Sequence, residues 1–356
     1  MAEFDYQELV KATQNFSHST LIGKGSHGSV YKAILFQENK ILAIKKSSIG
    51  HDHVSNDNIK KLDNEISVLS SLPPNPNIIK YLGTSIQQNY KLLVIEFMPN
   101  GSLQELLHAT KIPPPSWSKR IEIALQIAKA IHFLHQSTPT IIHRDIKSAN
   151  ILFDSNWNAK LADYGLAVSR VDSSNSSSYY ATQPAGTIGY MDPCYTIPSK
   201  LSTKNDVFSF GVVLLEIISS KKVIDVNRAT TSIVEWAMPL IKKERLMEIC
   251  DTRIGLPPQY IEGTIRYLLY VAARCVSCNE ENRPSMGEIV MGMSFGLVER
   301  VRVEPPSTSW VSLIRSFMAM RRKKKLAKKC HSQKFEDYSD ITKGKVLLRE
   351  ILADIK

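Results

Sequence analysis

A chain of 356 residues, 43% hydrophobic and 22% charged, is long enough to bury a sizeable core and allows one to three domains. No apolar run reaches the roughly 18 residues that a membrane-spanning helix needs. Ala2 stands where an N-myristoylated chain carries glycine, and the five cysteines, scattered and odd in number behind a start without a secretory segment, argue for a reducing compartment.

In chain order, the first informative stretch is Ile22-Gly23-Lys24-Gly25-Ser26-His27-Gly28-Ser29-Val30. Its glycines lack a Cβ, so the backbone can approach phosphates closely. A dinucleotide-binding turn shares this spacing but must open a helix. Here Ser29-Val30-Tyr31-Lys32-Ala33-Ile34-Leu35 is β-branched and aromatic and predicts a strand, so the loop is expected between two strands. Ile41-Leu42-Ala43-Ile44-Lys45 predicts another strand, ending in a lysine that can hold α- and β-phosphates. Period-2 alternation sends Lys46 to the opposite face. Between Lys61 and Leu69, apolar residues at 62, 66 and 69 make one helical stripe. Glu65 borders that stripe and can point inward to pair with Lys45.

Residues near 20 to 95 therefore alternate strand patterns with one amphipathic helix, whereas those from about 99 onward are mostly helical. Leu125, Ala128, Ile131 and Leu134 keep a helical period between Arg120 and His135. Then His143-Arg144-Asp145-Ile146-Lys147-Ser148-Ala149-Asn150 sets a carboxylate, an ammonium and an amide inside one short loop. Asp163-Tyr164-Gly165 adds a second carboxylate thirteen residues past the amide. That inventory suits phosphoryl transfer. Asp145 can accept a proton from a hydroxyl nucleophile, Asn150 and Asp163 can hold Mg²⁺, and Lys147 can neutralise charge on the moving group.

These motifs, in this order, resemble those of the eukaryotic protein kinases, and more closely the plant receptor-like kinases of the Pelle group. The closer likeness rests on residues 4–17, on Glu96-Phe97-Met98-Pro99-Asn100-Gly101-Ser102-Leu103 and on Gly186-Thr187-Ile188-Gly189-Tyr190-Met191-Asp192-Pro193. Asp206-Val207-Phe208-Ser209-Phe210-Gly211 and Asn282-Arg283-Pro284-Ser285-Met286 are similar to the family's closing motifs, so the resemblance covers roughly residues 4 to 298.

The resemblance implies an α+β, bilobal protein-kinase fold. The kinase domain would run over 16–298, with a small sheet-rich N-lobe (16–95) and a larger helical C-lobe (99–298). A lead-in, 1–15, would precede it and a basic tail, 299–356, would follow. It implies an ATP site made by Ile22, Gly23, Lys24, Gly25, Ser26, His27, Gly28, Ser29, Val30, Ala43, Lys45 and Glu65, with backbone groups around Glu96 and Met98 meeting adenine and Ile95 limiting the pocket. Catalytic residues would be Asp145, Lys147 and Asn150, and Mg²⁺ would sit on Asn150 and Asp163. Lysine two residues past the base goes with serine/threonine specificity in the family, and Thr187 would contact that base. Protein substrates and an upstream receptor kinase are the implied partners. With neither a span nor an ectodomain, a cytoplasmic member of the group is expected.

Arg144 precedes the base, and a guanidinium there is an anion receptor. Eight hydroxyl residues between Ser173 and Thr182 lie ahead of Gly186, so phosphorylation there is expected to order this loop, with Arg144, Thr182 and Thr187 as its regulatory residues. Two departures from the family stand out. Tyr164 replaces a phenylalanine and adds a hydroxyl that needs a partner. Cys194 replaces a glutamate that pairs with the arginine corresponding to Arg283, so Arg283 is expected to lose that partner unless Asp192 or another carboxylate takes over, and Cys194→Glu is expected to raise stability. The competing class is a nucleotide-binding protein without catalysis, but Lys45, Asp145 and Asp163 are intact. Cys275-Val276-Ser277-Cys278 lacks the second ligand pair of a structural zinc site, and Cys275 reads as core.

Past Pro305-Pro306, residues 321–329 carry seven positive charges in nine residues, most of the +11 net charge. Trp310, Leu313, Ile314 and Phe317 precede them at helical spacing. Segment 310–329 therefore suits an anionic membrane surface or calmodulin, a nuclear address, or a solvated tail docked on the kinase body. Specific nucleic-acid binding is not expected, since no reading module accompanies the charge. Localisation is expected to be cytoplasmic, peripheral at the plasma membrane if the first reading holds.

Overall fold

The β-branched runs of the first third build one sheet, and the apolar-periodic segments of the remainder build a helical body. A computed structural model describes residues 2–25, 28–35, 40–47, 53–87, 90–109, 112–170, 183–197 and 200–301. Ser26 and His27, the serine-rich stretch with Thr182, and the tail from 302 onward lie outside the described residues.

Strands β1 (Ala2–Glu3), β2 (Leu21–Gly25), β3 (Gly28–Leu35), β4 (Lys40–Lys46), β5 (Tyr81–Gln87) and β6 (Tyr90–Glu96) are ordered β1-β5-β6-β4-β3-β2. All neighbours are antiparallel except β1 and β5. The pleat sorts side chains strictly between two faces. Leu42, Ile44, Leu92 and Val94 join Leu9 and Ala12 of helix α1 (Tyr6–Ala12) on one face. Ala43, Leu93 and Ile95 face the other way, into one core with Leu62, Val68 and Leu69 of α2 (His53–Ser71). The lead-in thus packs on the sheet. Asp5 caps α1 by accepting the Glu8 N–H at 2.8 Å.

The glycine loop joins β2 to β3, with Gly23 opposite Val30 and Gly25 opposite Gly28. A strand follows the glycines, as their sequence predicts, and the helix a dinucleotide turn requires does not. Gly28 has φ +149°, and a Cβ there would lie 2.4 Å from the Lys46 carbonyl oxygen, so glycine is required.

The second lobe is built on α3 (Leu103–His108), α4 (Trp117–Gln136), α5 (Thr203–Ser219), α6 (Ile233–Lys242), α7 (Gln259–Cys275) and α8 (Met286–Val301). Two small antiparallel pairs, β7 (Thr140–Ile142) with β10 (Val168–Arg170) and β8 (Ile151–Phe153) with β9 (Ala159–Leu161), lie between α4 and α5 in sequence. Helix α5 is buried from Asn205 to Ser219 because it is apolar around its circumference. It packs on α4, α6 and α7, and α4 in turn packs on α8. Gly211 permits the closest of these approaches, since a Cβ would lie 2.5 Å from that of Cys275. Cys275 is fully buried, as its core assignment predicts. Among the described residues, no helix is long and apolar enough to cross a membrane. No cluster of three or more histidine, cysteine or acidic side chains among them could hold a metal ion.

Candidate active site

Each group of the predicted constellation is positioned by an element whose sequence dictates it. Lys45 lies on the face of β4 toward α2, and Glu65 on the inward face of that helix, so the two meet at 2.5 Å. Lys46, one residue on, stacks 4.4 Å from the Phe16 ring on the other face. Lys45 Nζ also donates to Asp163 Oδ1 at 2.8 Å. Burial works to lower the Lys45 pKa, but the carboxylates of Asp163 and Glu65 outweigh it and hold the ammonium above its ordinary value. Burial raises the Glu65 pKa against the pull of Lys45.

The loop between β7 and β8 carries Asp145 in a pocket of donors. Lys147 Nζ bonds Asp145 Oδ2 at 2.7 Å, and Thr187 Oγ1 donates to Oδ1 at 2.6 Å. Lys147 also reaches Thr187 Oγ1 at 2.9 Å, closing a triangle. Asn150 Nδ2 donates to the Asp145 carbonyl (2.9 Å) and to Oδ2 (3.1 Å). With its NH₂ spent on Asp145, the Asn150 amide presents oxygen at its other end.

Two left-handed residues mark this region: Arg144 at φ 71° and Asp163 at φ 64°. Each such conformation costs on the order of 1–3 kcal/mol and needs support. Asp206, at the head of α5, supplies it for Arg144 by accepting the N–H groups of His143 (2.9 Å) and Arg144 (2.8 Å), with His135 Nε2 at 2.9 Å from the same carboxylate. Asp206 is buried, yet these bonds outweigh burial and lower its pKa. Around Asp163, Asn64 on α2 clamps the turn by donating to the carbonyls of Tyr164 (3.1 Å), Gly165 (3.2 Å) and Ala167 (2.8 Å). The Tyr164 N–H meets Glu65 Oε1 at 3.2 Å. The Tyr164 hydroxyl finds only a long contact to the Leu161 carbonyl, at 3.4 Å.

His143 is buried beneath the loop. Its Nδ1 accepts the Asp145 N–H at 3.3 Å, and Nε2 lies 3.2 Å from the Ala162 carbonyl, which requires a neutral ring. Burial, against the nearby carboxylates of Asp206, Asp145 and Asp163, lowers its pKa accordingly.

At the hinge, the Glu96 carboxylate is held by Lys160 (2.8 Å) and by the Lys80 N–H (2.6 Å), and the Glu96 N–H is used by the Lys80 carbonyl. No backbone hydrogen bond among the described residues uses the Met98 N–H. Val30, Ala43, Ile95 and Met98 share the core that continues into the second lobe. Ile22 is exposed, and Lys24 and Ser29 face each other across β2 and β3. Arg144 NH2 donates to the Gln183 carbonyl at 2.9 Å, beside the serine-rich stretch.

The expected gain from Cys194→Glu loses its basis, because Asp192 takes the place of the missing glutamate: the Arg283 guanidinium grips Asp192 with both NH groups, and Nε donates to the Ser277 carbonyl at 2.8 Å. Both side chains are buried, and Asn205 Nδ2 (3.1 Å) and the Cys194 N–H (2.9 Å) complete the Asp192 carboxylate. The acid two residues earlier does the work that a glutamate at 194 was expected to do.

Sequence reasoning missed three supports: Asn64, Asp206 as the clamp of the loop, and Glu216. Glu216 is buried in α5 and gathers Ser148 Oγ (2.8 Å), Tyr190 OH (2.7 Å) and His108 Nε2 (2.8 Å). Burial and then the Glu216 carboxylate push the Tyr190 phenol pKa up, keeping it a donor. Lone acids in the apolar run 206–218 were the available signal, because a buried carboxylate must have partners. Asn64 gave none.

A lysine–glutamate pair between the sheet and α2 and the acid of a following turn thus meet in one ion-paired cluster, and a further acid-bearing loop is braced by its own lysine and threonine. The pattern that defines the protein kinase domain matches residues 16–295, and the chain belongs to the protein kinase family. It is 50% identical over 338 residues to a serine/threonine-protein kinase-like protein of Arabidopsis thaliana, covering 91% of this chain and 95% of that one. A second such protein of Arabidopsis thaliana is 46% identical over 309 residues, 85% and 81% of the two chains. Receptor-like cytoplasmic kinase 176 of Oryza sativa subsp. japonica is 37% identical over 303 residues, 81% and 74% of the two chains.

Proposed function

We propose that this chain is a serine/threonine-protein kinase that moves the γ-phosphoryl group of Mg-ATP to hydroxyls of protein substrates. The observation that carries the reading is the Asp145 carboxylate, held by Lys147 and Thr187 beside the Lys45–Glu65–Asp163 cluster. Asp145 takes the proton of an incoming hydroxyl, and its two partners fix the carboxylate so that one oxygen faces the nucleophile. Lys147 offsets negative charge beside the base. Lys45 would bind nucleotide phosphates, with Glu65 keeping its ammonium in place.

The donor set fits a hard divalent cation. The Asp163 carboxylate and the Asn150 amide oxygen are the oxygen ligands that Mg²⁺ takes, alongside phosphate oxygens and water. When bound, Mg²⁺ supplies charge neutralisation on the phosphates. Main-chain groups near Met98 would take adenine.

The reading extends to regulation and place. Phosphorylation of hydroxyls between Ser173 and Thr182 would recruit Arg144, whose guanidinium already reaches Gln183. The name of the rice relative, a receptor-like cytoplasmic kinase, fits a place in receptor-linked signalling. The basic segment 310–329 would add peripheral membrane attachment, which vesicle co-sedimentation at two salt concentrations checks.

The test is incorporation of labelled γ-phosphate into a generic serine/threonine substrate by wild type and Asp145→Asn. Loss of the positioned base should lower the rate by about 10²–10⁴. Equal signals from the two proteins would refute the assignment.

A further inference from the structure

Two thiols lie on the two loops that Asp192 and Arg283 join. The Cys194 N–H is fixed on the Asp192 carboxylate (2.9 Å), and its Sγ lies 3.5 Å from the carbonyl oxygen of Cys278. Cys278 is exposed, in the connection between α7 and α8, and Cys194 is partly exposed; both are free thiols. The connection is pinned on either side of Cys278. Ser277 accepts from Arg283 at 2.8 Å, and Glu280 bonds Ser202 at the start of α5. The second sulfur therefore hangs from backbone that the first already touches, and both backbones are held in place. The other two described cysteines differ. Burial pushes the thiols of Cys250 and Cys275 up to about 11 and about 12, which leaves them inert.

We propose that Cys194 and Cys278 are an oxidative modification site, closing reversibly to a disulfide when a peroxide supplies the oxidant. The exposed Cys278 thiolate attacks one peroxide oxygen; an S–O bond forms, the O–O bond breaks, and the leaving hydroxide takes up a proton as water. The Cys194 thiolate then attacks the sulfenic sulfur, an S–S bond forms, and hydroxide leaves to become a second water. The two thiols lose two electrons, and one peroxide ends as two waters. The bond ties the loop that presents Thr187 and Tyr190 to the α7–α8 connection at a second point, next to the Asp192–Arg283 pair. Cys194, anomalous as a replacement for glutamate, thereby gains a role of its own.

The experiment treats the reduced full-length protein with graded hydrogen peroxide, blocks remaining thiols by alkylation, and maps peptides without reduction. The expected result is one cross-linked peptide pair joining Cys194 to Cys278, abolished by dithiothreitol and absent in Cys194→Ser. The oxidised wild type should also melt at a higher temperature than the reduced form, with no such difference in Cys278→Ser. Alkylation of both cysteines after oxidation, or Cys278 found joined to Cys330 or to a second chain, would overturn the proposal.

Discussion

Replacing Asp192 with asparagine leaves the buried Arg283 guanidinium without its counter-charge while keeping the shape of the site. In the native protein this carboxylate satisfies both Arg283 NH groups, the Asn205 amide and the Cys194 N–H, and both members of the pair are almost wholly buried. Removing one partner of such a pair costs about 3–5 kcal/mol, because the other charge stays buried. For a domain of this size, a kilocalorie corresponds to about 2–4 °C, so Asp192→Asn should melt on the order of 6–20 °C lower. Cys194→Glu has no unsatisfied arginine to meet and should shift the midpoint by no more than about 2 °C, the range of ordinary surface changes. Thermal melts of the three proteins, followed by circular dichroism, decide the matter. An Asp192→Asn midpoint equal to wild type, or a large gain from Cys194→Glu, would show that the pair does not hold the loop as argued.

Other consequences follow from single contacts. Thr187→Val removes a 2.6 Å bond to the Asp145 carboxylate. A hydrogen bond to a charged group is worth about 1.5–3 kcal/mol, so turnover in a phosphotransfer assay should fall roughly 10- to 150-fold; unchanged turnover would make the contact incidental. Tyr164→Phe deletes only a 3.4 Å contact, and its denaturation free energy should stay within about 1 kcal/mol of wild type. His143 is held neutral, its folded pKa below the ordinary value near 6.5. Its contribution is present above pH about 6.5 and is lost as pH falls toward the depressed value, by at most about 1.4 kcal/mol per pH unit. Urea denaturation at pH 7.5 and 5.5 should show a smaller loss in His143→Gln than in wild type; identical losses would contradict this.

Much of the site was readable because short-range periodicity determines which way a side chain points. The register of the strand motif, with alternation, separates Lys45 from Lys46, and a three-position stripe with Lys45 upstream lets Glu65 point inward. The residues after Gly28 decided between a hairpin and a helix before any tertiary contact was considered. Cys194 shows where such reading stops. Which of two acid positions meets Arg283 depends on how two loops, 91 residues apart in sequence, approach each other, and no local pattern encodes that distance. Likewise, the lead-in is marked only by its resemblance to the family, and the seven residues of α1 do not say what they pack on. Only the sheet face that receives Leu9 and Ala12 reveals it.

The central claim, that Lys45, Glu65, Asp145, Asn150 and Asp163 serve one magnesium-bound nucleotide, is tested most directly by calorimetric titration of ATP with and without Mg²⁺. Wild type and Asp145→Asn should both bind ATP more tightly when Mg²⁺ is present, and Asp163→Asn should lose that gain. A magnesium-dependent gain that survives in Asp163→Asn unchanged would contradict the account.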